Sequence, residues 1–238
     1  PKILRNDTMI LAALFSGGKD STYAIYQARK MGHDIKCLLT IMTLSEDSHL
    51  LHHPNISATK LQAESMNIPQ ILLESKSDKT QDELELLKQG LEQAKNDHSV
   101  QGVVHGGILS EFQREKFESI AQDLGLEVIA PIWKKDQKHY MKELLDSGFE
   151  FVLSAVSCDG LAESWIGKKI TQQDLDILME KSEKFKFNLS FEGGEAETFV
   201  INCPLFSIPI EITQYKKFWD GYRGRFEIVQ AKMKNNAG

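Results

Sequence analysis

Between residues 9 and 133, short apolar runs alternate with segments of helical spacing. No other feature constrains the fold as much. The runs "MILAALF" (9–15), "DIKCLLTIM" (34–42), "QILLES" (70–75), "VQGVVHG" (100–106) and "LEVIAPIW" (126–133) read as five strands. Helical spacing fills 20–32, 55–67, 80 to about 97 and 110–125. Glycine closes the first and last of these helices, and Thr80/Glu83 and Ser110/Gln113 stand at capping-box spacing. Buried strands alternating with helices across short loops imply a parallel sheet with helices on both faces, joined by right-handed crossovers. The expected class is α/β and Rossmann-like, with five parallel strands.

The pattern changes near residue 134. A helix over 136–147 and a strand over 149–157 continue it. A helix near 171–185, the turn "EGGEAET" and the extended runs "TFVINCPLF", "IPIEITQYKKFWD" and "RFEIVQAKM" follow, and the last three read as antiparallel. The expected organisation is a ligand-binding domain over 1–133 and a smaller α+β domain over 134–238, with "KNNAG" as a frayed tail.

Several function classes are disfavoured. The 238 residues carry a net charge of -6, which argues against a chain that grips nucleic acid directly. Cys37, Cys158 and Cys203 are far apart with no CxxC pair, so neither a zinc ribbon nor a dithiol motif is readable. Isolated cysteines suit a reducing compartment. No apolar run approaches the roughly 20 residues of a membrane span, and the start "PKILRNDTMI" lacks a signal-peptide core. A cytoplasmic protein without membrane partners is expected; a homo-oligomer is left open.

The turn "SGGKDS" (16–21) lies where strand one ends and a helix begins. Open α/β sheets bind ligands at the carboxyl ends of their strands. Gly17 and Gly18 let backbone N–H groups converge on an anion, the helix N-terminus adds partial positive charge, and Lys19 adds a full one. Ser16, Ser21 and Thr22 supply hydroxyls. A phosphate or pyrophosphate is the fitting ligand. A Walker A loop is excluded because Ala13 and Asp20 occupy its glycine and hydroxyl positions, and a G-x-G-x-x-G fingerprint is absent. The bland alternative is a polar turn with Asp20 capping a helix, but it does not account for all six residues at this junction.

"SGGKDS" after an apolar strand resembles the pyrophosphate loop of the N-type ATP pyrophosphatases, which cleave ATP between the α and β phosphates. The resemblance implies an adenine nucleotide alpha hydrolase-like fold, adenylation of a carbonyl or carboxylate oxygen, and displacement of AMP by a nucleophile. It also implies magnesium at the loop, with Asp20 as its ligand. "LHHPNISATKLQAESMNIP" (51–69), "HGGILSEFQREKFESIAQDLGLEVIAPIW" (105–133), "DGLAESWIGKKI" (159–170) and "FEGGEAETFV" (191–200) are similar to the diphthine–ammonia ligase family. That similarity covers about residues 9–213, and "EGGEAET" is its most particular segment. It implies amidation by ammonia of the diphthine carboxylate on translation elongation factor 2, with ATP becoming AMP and pyrophosphate. The family often carries an acidic residue where Gly107 stands and an aromatic one where Phe112 stands; the first departs, the second agrees.

The anion-binding turn beside an open strand edge puts ATP at Ser16, Gly17, Gly18, Lys19, Asp20 and Ser21, with adenine near 39–41, and Arg114 on the same edge suits phosphate; the resemblance adds His52 and Asn55. It assigns catalysis to Lys19, Asp20, Glu195 and Glu197, and the acceptor side to Glu192, Gly193, Gly194, Glu195, Glu197 and Thr198. Each has a plainer reading beside it. His49, His52 and His53 suit a solvated loop, and Arg114 suits an ion pair with Glu111 or Glu118. Trp133 and Trp165 suit the core, and His105 has no assigned role. Three glutamates in the turn would repel each other. The expectation is that glycine flexibility turns them into the cleft, to bind magnesium, hold ammonium or accept its proton. Sulfur transfer would need a reactive cysteine, so amidation is preferred. Two alternatives remain: amidation of another carboxylate, such as a corrinoid precursor, and a regulatory module that binds a nucleotide without turnover.

Overall fold

The computed structural model describes residues 7–42, 55, 58–75, 79–107 and 111–234, without the side chains of 80 and 111–113. The strands β1 (Ile10–Leu14), β2 (Asp34–Met42), β3 (Gln70–Glu74), β4 (Gly102–Val104) and β5 (Glu127–Ile129) form one sheet in the order β3-β2-β1-β4-β5. Every pairing in it is parallel. The strand order reverses between β1 and β4, so the crevice beyond their carboxyl ends is a topological switch point.

The pleat of β1 explains the layering. Leu11, Ala13 and Phe15 face one way, towards α1 (Lys19–Lys30) and α2 (Thr59–Met66); Ala12 and Leu14 face the other, towards α3 (Thr80–His98) and α4 (Glu111–Asp123). Helices therefore cover both faces. Capping differs from the expectation at α3. Lys79 is the extended N-cap residue, and its carbonyl accepts from Asp82 and Glu83 N–H, so Thr80 already lies in the first turn. Ser110 and the loop holding His49, His52 and His53 lie outside the described residues.

The second sheet, β7-β6-β9-β8, is antiparallel and consists of β6 (Glu150–Val156), β7 (Ala196–Asn202), β8 (Ile210–Trp219) and β9 (Gly224–Met233). Helices α5 (Gln137–Asp146) and α6 (Gln172–Phe185) flank it in sequence. The run over 149–157 thus does not continue the parallel sheet; it lies at the heart of the second one. Its apolar residues bury equally well in either, and the choice is made by pairing with β7 along nearly its whole length. One continuous core runs from α1 through Tyr140, Met141 and Leu144 of α5 to Phe151, Leu153 and Phe199 of this sheet.

β6 and β9 pair only at Ala155–Arg225 and Val156–Gly224, then diverge. The vacated edge of β6 is taken by the 167–170 segment through Gly167 N–H to Leu153 and Ile170 N–H to Phe151. The vacated edge of β9 is taken by Asn55, which donates from Nδ2 to Phe226 O at 2.8 Å and accepts from Ile228 N–H at 2.7 Å. Asn55, expected to line the nucleotide cleft, here stands in for a strand. Asn55→Ala should lower unfolding free energy by about 1–3 kcal/mol, because it leaves buried backbone groups without these partners. Urea denaturation checks this; unchanged stability would mean that water replaces the amide at no cost.

Candidate active site

The turn after β1 is shaped by what surrounds it. Phe15 N–H still bonds Leu39 O, so the chain leaves the sheet only at Ser16. Gly17 has φ +82, and a Cβ there would collide with Gln62, so glycine is required on both counts. The turn closes through Ser16 N–H to Ser21 Oγ, with the two hydroxyls 3.2 Å apart. Gly18 is the N-cap of α1 and supplies no side-chain cap; Thr198 takes the Lys19 N–H, and the next N–H groups of the first turn are those that suit an outside anion. Across the switch point, Gly106 packs on the same turn. A Cβ on it would lie 2.6–2.9 Å from Asp20 and Ser21 backbone atoms.

The second sheet bonds directly to this turn. Val200 N–H donates to Gly17 O at 2.9 Å, and Lys19 N–H donates to Thr198 Oγ1 at 2.9 Å. Buried Gln62 of α2 donates to both Gly17 O and Val200 O. Residues 17–19 and β7 are therefore one hydrogen-bonded unit, and Thr198, expected on the acceptor side, touches the phosphate loop itself.

Lys19 is only 2% exposed. Its ammonium donates to Asp20 Oδ1 at 2.7 Å and Ser190 O at 2.6 Å, and sits 5.5 Å from the Tyr140 ring centre and 5.7 Å from that of Phe191. Tyr140 of α5 donates its hydroxyl to the same Asp20 oxygen at 2.5 Å. Burial, then the Asp20 charge, holds that phenol far above its usual range, so it remains a donor. Tyr140, Ser190 and Gln62 escaped the sequence reading. They lie 40 residues or more from the loop, and each looks like an ordinary helix or coil residue.

The three glutamates separate. Glu195 accepts from Asn188 N–H and Nδ2 through Oε1 and from Gly193 N–H through Oε2, so its carboxylate braces the turn from inside. Exposed Glu192 accepts from Gln137 Nε2 at 3.0 Å. Glu197 lies on β7 opposite Ala155, and burial raises it from 4.5 to about 8. Hydrogen bonding and the pleat thus give each of the three a different neighbour. Among the described residues, no group of three His, Cys, Asp or Glu side chains could together hold a metal ion.

Arg114 stacks on Trp133, 4.7 Å from the ring centre, and lies 3.8 Å from Glu118, one of the two partners of its plainer reading. His105 directly follows β4 and lies edge-on to Phe117; burial, aided by Arg114, lowers it to about 4, so it is neutral at pH 7. His52 lies outside the described residues.

A parallel sheet in this order, with an uncapped Gly-Gly-Lys-Asp turn at its switch point, defines a phosphate-loop nucleotide-binding protein of the α/β class. Residues 9–128 match the family model for the diphthamide synthase N-terminal domain, and 136–233 match that for the C-terminal domain. Proteins named diphthine–ammonia ligase are similar: 33% identical in Danio rerio over 86% of both chains, and 31% in Homo sapiens over 83% of this chain and 80% of the other. The Schizosaccharomyces pombe protein of that name is 29% identical over 86% of this chain but only 36% of its own length. The chain belongs to the diphthine–ammonia ligase family.

Two outcomes follow from this geometry. Gly106→Ala should displace the loop and weaken ATP binding about tenfold or more, since overpacking against backbone costs about 1–3 kcal/mol; calorimetry checks it, and wild-type affinity would show that the loop can yield. For Glu197, the folded pKa of about 8 exceeds the ordinary 4.5, so between these values the folded chain keeps a proton that the unfolded chain releases. Its contribution to stability is complete below about pH 4.5 and is lost as pH rises through about 8. Glu197→Gln should flatten the fall in melting temperature from pH 5 to 9. An identical slope in both proteins would assign that fall to another group.

Proposed function

We propose that this chain is an ATP-dependent, amide-forming ligase that adenylates the diphthine carboxylate of translation elongation factor 2 and amidates it with ammonia, releasing AMP and pyrophosphate. The observation that carries this reading is the direct bonding of β7, whose first three residues end the family-specific "EGGEAET" segment, to the "SGGKDS" loop. It puts the element expected to meet the acceptor against the element expected to hold ATP.

The chemistry follows from the groups present. A carboxylate is a poor acyl donor at neutral pH because oxide would have to leave; adenylation substitutes AMP as the leaving group. In this reading the glycine turn and the first N–H groups of α1 hold the phosphates that depart, and Lys19 balances the charge that develops on them. The Lys19 ammonium has three N–H donors and gives two to Asp20 Oδ1 and Ser190 O, which leaves one for a phosphate oxygen. The thiols do not suit sulfur transfer. Burial pushes Cys37 and Cys203 up to about 12 and Cys158 up to about 11, so none is a thiolate at neutral pH. Glu197, which burial holds near 8, carries a proton through most of the neutral range, so only its ionised fraction would accept a proton from ammonium. Glu195 and Glu192 act by holding the turn.

Magnesium fits the loop in a limited way. Asp20 is its one carboxylate, with the side chain 25% exposed. Magnesium commonly uses one or two carboxylates together with substrate phosphates and water. Asp20 would hold it, and the ion would neutralise charge on the leaving pyrophosphate. The same reading divides the chain near 133/134 and draws every named residue from one copy. It places the protein in the cytoplasm, where elongation factor 2 works. Among the described residues, no helix is long and apolar enough to cross a membrane. The family relatives do not favour a corrinoid substrate or a passive nucleotide sensor.

Lys19→Ala should lower turnover on the order of 10²–10³, the usual effect of removing one preorganised electrostatic contact. Pyrophosphate release and the mass of elongation factor 2 measure it on one sample. Turnover within a few-fold of normal would remove Lys19 from catalysis. Cells lacking the protein should accumulate diphthine; unmodified levels of diphthamide there would overturn the substrate.

A further inference from the structure

The phosphate-loop aspartate has two oxygens with different surroundings. Oδ1 receives both Lys19 Nζ, at 2.7 Å, and the Tyr140 hydroxyl, at 2.5 Å. Among the described residues, no donor bonds Oδ2. Lys19 and Tyr140 are 2% and 4% exposed, whereas the Asp20 side chain keeps a quarter of its surface. Two buried donors thus occupy Oδ1, and the partly exposed carboxylate keeps Oδ2 without a donor among the described residues.

We propose that Tyr140 is a positioning residue for the ATP step: its hydroxyl locks the rotation of the Asp20 carboxylate and reserves Oδ2 for the divalent cation that accompanies ATP. This inference rests on the functional reading above. Lys19 cannot do the locking alone. Its ammonium also serves Ser190 O and, in the functional reading, a phosphate oxygen. The Tyr140 hydroxyl is committed to Asp20. Its buried ring packs on that of Tyr23, 5.5 Å between centres, and belongs to the core that joins α1 to the second sheet. A phenol with two torsions and a packed ring makes a stiff donor. The role is that of an outer partner that orients a metal-ligating carboxylate, and loss of such partners typically costs 10–100-fold in metal affinity. The arrangement also explains why α5, which lies outside the parallel sheet, reaches back to the start of α1.

The test uses Tyr140→Phe, which deletes the hydroxyl and keeps the ring and its contact with the Lys19 ammonium. ATP binding is followed by calorimetry on the full chain while Mg²⁺ is titrated, with melting temperature recorded for each protein. Tyr23→Phe removes another hydroxyl of the same aromatic cluster that makes no hydrogen bond to Asp20, and serves as the control. In Tyr140→Phe, the Mg²⁺ concentration for half-maximal enhancement of ATP binding should rise about tenfold or more. ATP binding without metal should stay within about twofold, and Tyr23→Phe should keep the wild-type response. An unshifted Mg²⁺ response in Tyr140→Phe, or an equal shift in Tyr23→Phe, would overturn the proposal. If Tyr140→Phe does not fold, the structure of the unaltered protein with Mg²⁺ and a non-hydrolysable ATP analogue decides. The cation must lie on Oδ2 with the Tyr140 hydroxyl still on Oδ1; a cation on Oδ1, or on neither oxygen, sinks the idea. Unaltered protein that binds no ATP would instead remove the functional reading itself.

Discussion

A buried lysine ammonium organises this molecule. An ionised amine out of water costs several kcal/mol unless partners surround it. Lys19 meets that cost with a carboxylate from its own helix, a carbonyl from residue 190 and two aromatic faces, one from α5 and one from residue 191. Those partners come from distant parts of the chain. The charge of one side chain therefore requires α1, α5 and the 187–195 loop to meet at a single point. Gln137 of α5 strengthens the meeting by accepting from Ser190 N–H and donating to Asn188 and Glu192.

The two sheets are consequently joined at the place where chemistry is expected. β7 bonds the phosphate loop through Thr198 and Val200, and Gln62 ties the same atoms from α2. The loop, β7 and the acidic turn that leads into it form one hydrogen-bonded series. The shared core beneath α1 makes that connection stiff, because close-packed interiors transmit small displacements instead of absorbing them.

The acidic turn shows how one sequence cluster can hold several jobs. Glu195 has the backbone of its own loop to satisfy, Glu192 reaches α5, and Glu197 is carried into the sheet by the start of β7. Charge density in the sequence suggested a single shared site. The hydrogen bonds distribute it instead, and the residue that keeps an unusual protonation equilibrium is the one that strand pairing buries.

The sequence by itself determined the five-stranded parallel sheet, the helices on its two faces and the turn that ends β1. Each is written in local terms: uninterrupted apolar runs, helical spacing, and a glycine pair before lysine and aspartate. Only the tertiary structure decided the rest. The strand over 150–156 has the same apolar character as the parallel strands, and its allegiance comes from β7, which lies some 40 residues on. Asn55 in "HHPN" looks like a ligand-binding residue, and its duty on β9 follows from a split between strands that no local pattern records. Tyr140 is one aromatic on an amphipathic helix, and its bond to Asp20 spans 120 residues. Spacing along a chain encodes which face of an element is buried. Which distant polar group completes a buried charge depends on where the elements pack.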